Sequence, residues 1–164
     1  MDSATNKVFL DILDFDPKRK RINHLLKVTA YALAIARTEN IPPETYEILH
    51  LAALLHDIGI KASLDRHGDS SHVHQQLEGP RIAAEILDRH GFSPAVIERV
   101  GYLIAHHHEY DNIDGADYQI LIEADFLVNL DEGNRELEAV VKVRDSFFRT
   151  ATGIRILNRM WDLP

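Results

Sequence analysis

The sequence predicts an all-α fold: one domain over residues 1–164, built as a bundle of about six to eight helices. Apolar residues recur at steps of three and four, as in Ile22, Leu25, Leu26, Leu33 and Ala36, with Thr29 on the same stripe. No stretch alternates with period two, and no internal repeat or low-complexity segment occurs. A length of 164 residues with 45 % hydrophobic content suffices for one sizeable core but not for two.

The elements follow in order. In "DPKRKRINHLLKVTAYALAIARTEN", Asp16 is expected as the N-cap and Pro17 as the first helical residue. "PPETYEILHLAALLHDIG" repeats the pattern, with Pro43 near the start and Gly59 as the stop. Residues 60–73 are polar and read as a loop with at most one helical turn. "EGPRIAAEILDRHG" is expected to be a helix ended by Gly91, and "SPAVIERVGYLIAHHHEY" a helix capped by Ser93 with Pro94 behind it. "DNIDGAD" carries turn chemistry. "YQILIEADFLVNL" is rich enough in Ile and Leu for a strand. Its length and its Glu123–Ala124–Asp125 centre favour a helix. Two further helices, near 134–150 and 152–161, should pack on a core of about 20–130, and the apolar "IRILNRMW" should cover the bundle or a second copy of the chain.

A formal net charge of −8 argues against general binding to nucleic acid or to a membrane surface, since both are polyanionic. The N-terminus lacks the apolar core of a signal peptide, and no apolar run approaches a bilayer span; a cytoplasmic location is expected. There is no cysteine, so disulfides and thiolate metal sites are excluded, and ten histidines are the only soft ligands.

Three features put a polar group where the pattern expects a core residue: His24, the adjacent His56 and Asp57, and Asp125 within "IEADFLV". A single histidine there can be an ordinary hydrogen-bonded core residue. A buried carboxylate needs a partner for its charge. Imidazole and carboxylate together satisfy one another around a divalent cation. On the fourth expected helix, Val96, Val100, Leu103 and His107 follow steps of four, three and four, so His107 shares the apolar face.

The order His24, His56–Asp57, Asp125 resembles the H…HD…D signature of the HD-domain superfamily of metal-dependent phosphohydrolases. "HDIG" at 56–59 matches the form after which one branch is named. "RINHLLKV" and "LIEADFLVNL" resemble the surroundings of the first histidine and the last aspartate. "EGPRIAAEIL" and "HHHEYDNIDGADYQI" resemble small stand-alone members. The resemblance spans about residues 20–130. It implies an HD-type helical bundle holding one or two divalent ions, with manganese, magnesium, iron, cobalt and nickel all credible. The ligands it implies are His24, His56, Asp57 and Asp125, with Asp57 as the catalytic residue that orients or deprotonates the attacking water. The expected reaction is cleavage of a phosphate ester of a small molecule, a nucleotide as first choice, by metal-activated water.

Two-metal relatives carry further histidines between the HD pair and the last aspartate. His107 is the favoured candidate and His106 the next, with His108 as a solvated neighbour. The other extra ligand is less clear, because Gln75 stands four residues before Gly79 where relatives tend to have histidine. His72, His74 and Glu78 are near enough to substitute, although "SSHVHQQLEG" also reads as a plain surface loop. No Gly-Tyr-Pro follows the histidines, so cleavage of cyclic di-GMP is not expected. Arg21 and Lys61 are the expected phosphate contacts, ahead of Arg66 and His67. The alternatives are a di-iron oxygenase on the same scaffold, which the Gln75 departure disfavours, and a non-catalytic signalling module.

Overall fold

The structure is a computed structural model that describes residues 3–164. Among these residues the chain forms nine helices and no strand: α1 (Ser3–Phe15), α2 (Arg19–Thr38), α3 (Pro43–Leu55), α4 (Gly59–His67), α5 (His72–Arg89), α6 (Pro94–His106), α7 (Ala116–Glu132), α8 (Leu137–Phe147) and α9 (Ala151–Met160). The all-α class is the one expected. None of the described helices is long and apolar enough to cross a membrane.

Helices α3 and α7 form the middle. In α3 every residue from Leu51 to Leu55 is buried, and in α7 burial runs from Ile120 to Asp125 without a break. A helix apolar around its whole circumference must be surrounded, whereas an amphipathic one lies outside. Accordingly α2 packs on both α3 and α7, α6 covers α3, and α5 lies between α4 and α6. Helices α8 and α9 pack against α7. Helix α1 is additional to the expected elements. Val8 and Ile12, one turn apart and fully buried, seat it on α3 and α5.

Several boundaries differ from expectation, each for a local reason. Asp16 is not the cap of α2: the helix begins at Arg19, after an extended Lys18 that makes no side-chain cap. Asp16 is buried and accepts hydrogen bonds from the Lys18 amide (3.4 Å) and the Arg21 guanidinium. Residues 60–73 are not a loop. Most of them form α4, and α5 starts at His72, where the Ser71 hydroxyl caps the His74 amide. Gly79 and Pro80 read as a helix start in sequence, yet they lie inside α5. Gly91 ends that segment with φ +76°, and Ser93 caps α6 by accepting from the Val96 amide, both as expected.

Gly59 is not a stop either. It opens α4, because α3 and α4 are separated only by a turn holding His56, Asp57 and Ile58. Here α4 crosses α5 backbone to backbone: a Cβ at Gly59 would lie 2.5 Å from the Gln75 carbonyl oxygen and 3.0 Å from the Gly79 nitrogen. Rigid backbone cannot give way as a side-chain tip would. Gly59→Ala should therefore destabilise the fold by about 2 kcal/mol, the usual cost of overpacking. That corresponds to a melting temperature lower by roughly 4–8 °C at this chain length. A calorimetric scan showing no change would mean that the two helices separate freely here.

Candidate metal centre

The turn after α3 aims His56 and Asp57 at one end of the bundle, where α2 supplies His24, α7 supplies Asp125 and the end of α6 supplies His107. Their reactive atoms converge. His24 Nε2 lies 3.3 Å from His56 Nε2, 3.2 Å from Asp125 Oδ1 and 3.7 Å from Asp57 Oδ2. His56 Nε2 lies 3.6 Å from Asp57 Oδ2 and 3.7 Å from Asp125 Oδ1. The other oxygen of Asp57, Oδ1, faces His107 Nε2 at 3.9 Å.

The opposite nitrogen of each imidazole is already committed. Nδ1–H of His56 donates to the Ala53 carbonyl (3.0 Å), and that of His107 to the Ile104 carbonyl (2.8 Å). Nδ1–H of His24 donates to Glu132 Oε2 (3.2 Å), while Lys27 binds the other oxygen of Glu132 at 3.2 Å. Such partners fix the ring orientation and turn Nε2 inward, where it is a lone pair whenever the ring is neutral. His107 Nε2 and His108 Nε2 are buried with no hydrogen-bond partner at all. Inward-facing lone pairs beside buried carboxylates are the donor set a divalent cation requires. Two groups of ligand atoms are close enough to share one: His24, His56 and Asp57, and then Asp57, His107 and His108.

The carboxylates that would draw in a cation instead hold a proton on His24 while none is bound, and a metal ion would displace that proton. Burial alone would lower the His24 pKa, but the Asp125, Asp57 and Glu132 carboxylates outweigh it and hold it raised to about 9. Burial pushes the Asp125 carboxyl up, yet His24, His56 and His107 prevail and keep it at about 2. Burial, with His107 and His72 alongside, lowers His108 to about 3, and burial likewise lowers His107. Both stay neutral, with lone pairs available at physiological pH.

A cleft of about 470 Å³ opens over these groups, lined by His24, Asp57 and Asp125 together with His72, Gln75 and His108. Of the residues read from sequence, His24, His56, Asp57, Asp125 and His107 come together. His106 turns away: its Nδ1 lies 2.9 Å from Glu109, and its ring packs on Tyr102. His108, expected to be a solvated neighbour, occupies the inner position instead. The reason is that α6 ends at His106, so the following turn changes which side chains point inward. Tyr118 anchors that turn by bonding the carbonyls of His106 and Glu109.

His72 stacks on His108 at 3.7 Å between ring centres. His74 is held by Asp69 (2.8 Å) and stacked on His67, and Glu78 pairs with Arg66 (2.7 Å) and His67 (3.0 Å); neither reaches the cleft. Gln75 does reach it. Its amide Nε2 donates to the Ser70 carbonyl, leaving a buried Oε1 unpartnered. Arg21 binds Asp16 through Nε, keeps a buried Nη2 without a partner and does not line the cleft, and Lys61 pairs with Asp65 over the Phe15 ring, also outside the cleft. Glu132 was missed from sequence, although it lies seven residues after Asp125 and so on the same face of one helix.

Comparison with known proteins agrees with this architecture. The HD domain family pattern matches residues 21–156, most of the chain, and the chain belongs to the HD domain family. Its fold is similar to that of a predicted HD superfamily hydrolase from an uncultured Thermotogales bacterium. The TM-score is 0.68 at 22 % identity, over 97 % of this chain and 83 % of that one. No curated protein matches the chain.

Proposed function

We propose that this chain is a metal-dependent phosphohydrolase that cleaves a phosphate ester of a small molecule, with a nucleotide as the first candidate. The observation that carries the reading is the convergence of three imidazole Nε2 atoms and two carboxylates whose outer partners aim them inward. His24, His56, Asp57 and Asp125 would hold one divalent cation. Asp57, His107 and His108 would hold a second, with the Gln75 carbonyl and His72 beside it. Such cations lower the pKa of a bound water and neutralise charge on a phosphoryl group.

The residues have distinct tasks. Asp57 is the most exposed of the cluster carboxylates and the member common to both ligand groups, so it is the residue to orient the attacking water and accept its proton. Glu132 and the Ala53 and Ile104 carbonyls hold the imidazoles in place, which keeps reorganisation low when substrate enters.

The test is a panel of phosphate mono- and diesters, assayed after chelation and again after manganese is restored. Chelation should abolish hydrolysis and manganese should return it. His108→Ala should lower the bound metal by about one ion per chain, whereas His106→Ala should leave both count and rate near wild type. Turnover that survives complete chelation would refute the reading.

A further inference from the structure

The cleft carries three carboxylates, from Asp57, Asp125 and Glu132, and these repel a phosphate. A bound cation reverses the sign locally, but the approach still needs positive charge at the mouth. Most cations near the cluster do not line the cleft. Arg21 is bound to Asp16, Lys27 lies between Glu132 and Asp131, and Lys61 is paired with Asp65 in a different pocket. Two cations on the wall of the cleft differ. Lys20, in the first turn of α2, and Arg135, just past α7, both line it, and no hydrogen bond or ion pair to another described residue engages either side chain.

Their placement is a consequence of packing. Helices α2 and α7 lie against each other, so the start of one and the end of the other supply the wall beside His24 and Asp125. Apart from the three carboxylates, the lining adds His72, Gln75 and Tyr110, which carry no formal negative charge. An unpaired lysine and arginine flanking one cleft make a charge-assisted binding site for phosphoryl oxygens, with Arg able to take two of them at once.

We propose that Lys20 and Arg135 are the anion-recognition pair of this protein, and that they select a dianionic phosphate monoester over a monoanionic diester. The inference rests on the phosphohydrolase reading for its substrate and replaces Arg21 and Lys61 in that role. The selection follows from charge: each rim cation attracts a dianion about twice as strongly as a monoanion at equal distance. Neither residue orients the cluster, so their loss weakens binding without emptying the metal site.

The experiment compares wild type with Lys20→Ala, Arg135→Ala and the double variant, all manganese-loaded and with metal content checked. Each is assayed with 4-nitrophenyl phosphate and with bis(4-nitrophenyl) phosphate, and inorganic phosphate binding is titrated calorimetrically. The double variant should raise KM for the monoester by about thirtyfold or more, with kcat within about threefold and metal content unchanged. KM for the diester should rise by no more than about fivefold, and the Kd for inorganic phosphate should weaken in parallel with the monoester KM. Monoester KM and phosphate Kd both within about twofold of wild type would overturn the proposal, as would an equal loss for both esters. If loaded wild type turns over neither ester, the phosphohydrolase reading fails on these substrates. The phosphate titration still decides the anion site, because a Kd unchanged in the double variant overturns it.

Discussion

Asp57→Ala is expected to empty the metal centre: bound metal should fall from about two ions per chain to near zero, and phosphate-ester hydrolysis by at least about a thousandfold, roughly 4 kcal/mol of transition-state stabilisation. The size of the effect comes from the position of the residue. Its Oδ2 faces His24 and His56, its Oδ1 faces His107, and it belongs to both groups of potential ligands. Removing it leaves only neutral imidazoles at one site and a single carboxylate at the other, too little charge to hold a strongly hydrated ion. The fold should survive. Asp57 lies in the turn between α3 and α4, and its side chain bonds no backbone group. Elemental analysis and circular dichroism on wild type and variant side by side check both halves. Undiminished metal in the variant would sink the assignment, and loss of helix content would recast Asp57 as a structural residue.

Glu123→Ala should have the largest effect on stability. Glu123 is fully buried, and one of its oxygens accepts from the Arg149 amide (2.7 Å), the Thr150 amide (2.9 Å) and Gln119 Nε2 (2.8 Å). Its other oxygen accepts from the Thr150 hydroxyl, which in turn caps α9 at Gly153. One carboxylate on the central helix thus ties down the junction of α8 and α9. Truncating it strands several buried donors, each costing about 1–3 kcal/mol, so a total near 4 kcal/mol is expected. In melting temperature that is about 8–16 °C at this size. Glu123→Gln keeps an acceptor for the two amides and should lose less than half as much. Equal, small losses in both variants would show that the junction is held by apolar packing alone. Metal content should be little affected in Glu123→Gln, which separates this carboxylate from Asp125 two residues on.

Glu123 and Asp125 illustrate what was legible. Both stand out in sequence as acids within an apolar helix, but on α7 they serve different ends. Asp125 turns toward His24, and Glu123 turns toward the C-terminal helices. Apolar patterning and capping residues identified α2, α3 and α6, and length with the Glu123–Ala124–Asp125 centre identified α7. Patterning failed for α4 and the start of α5, which are short, amphipathic and rich in polar residues. Gly59 read as a stop because its cost within a helix is visible locally, whereas its benefit, letting α4 and α5 touch at Gly79, is not. Glu132 was readable as the same-face neighbour of Asp125; the inward place of His108 was not.

The sequence by itself determined the all-α class, the four polar intrusions His24, His56, Asp57 and Asp125, and the HD order that unites them. These are properties of residue type and spacing along the chain, and a helix converts spacing into a face. Tertiary structure alone decided that His108 joins His107 in pointing inward, and which cations are already paired with carboxylates. Arg21 and Lys61 are bound to Asp16 and Asp65, while Lys20 and Arg135 are left unpaired at the cleft. The physical reason is that availability is set by partners in space. A histidine is a ligand, and a lysine an anion site, only where folding brings the right neighbours close and keeps competing ones away.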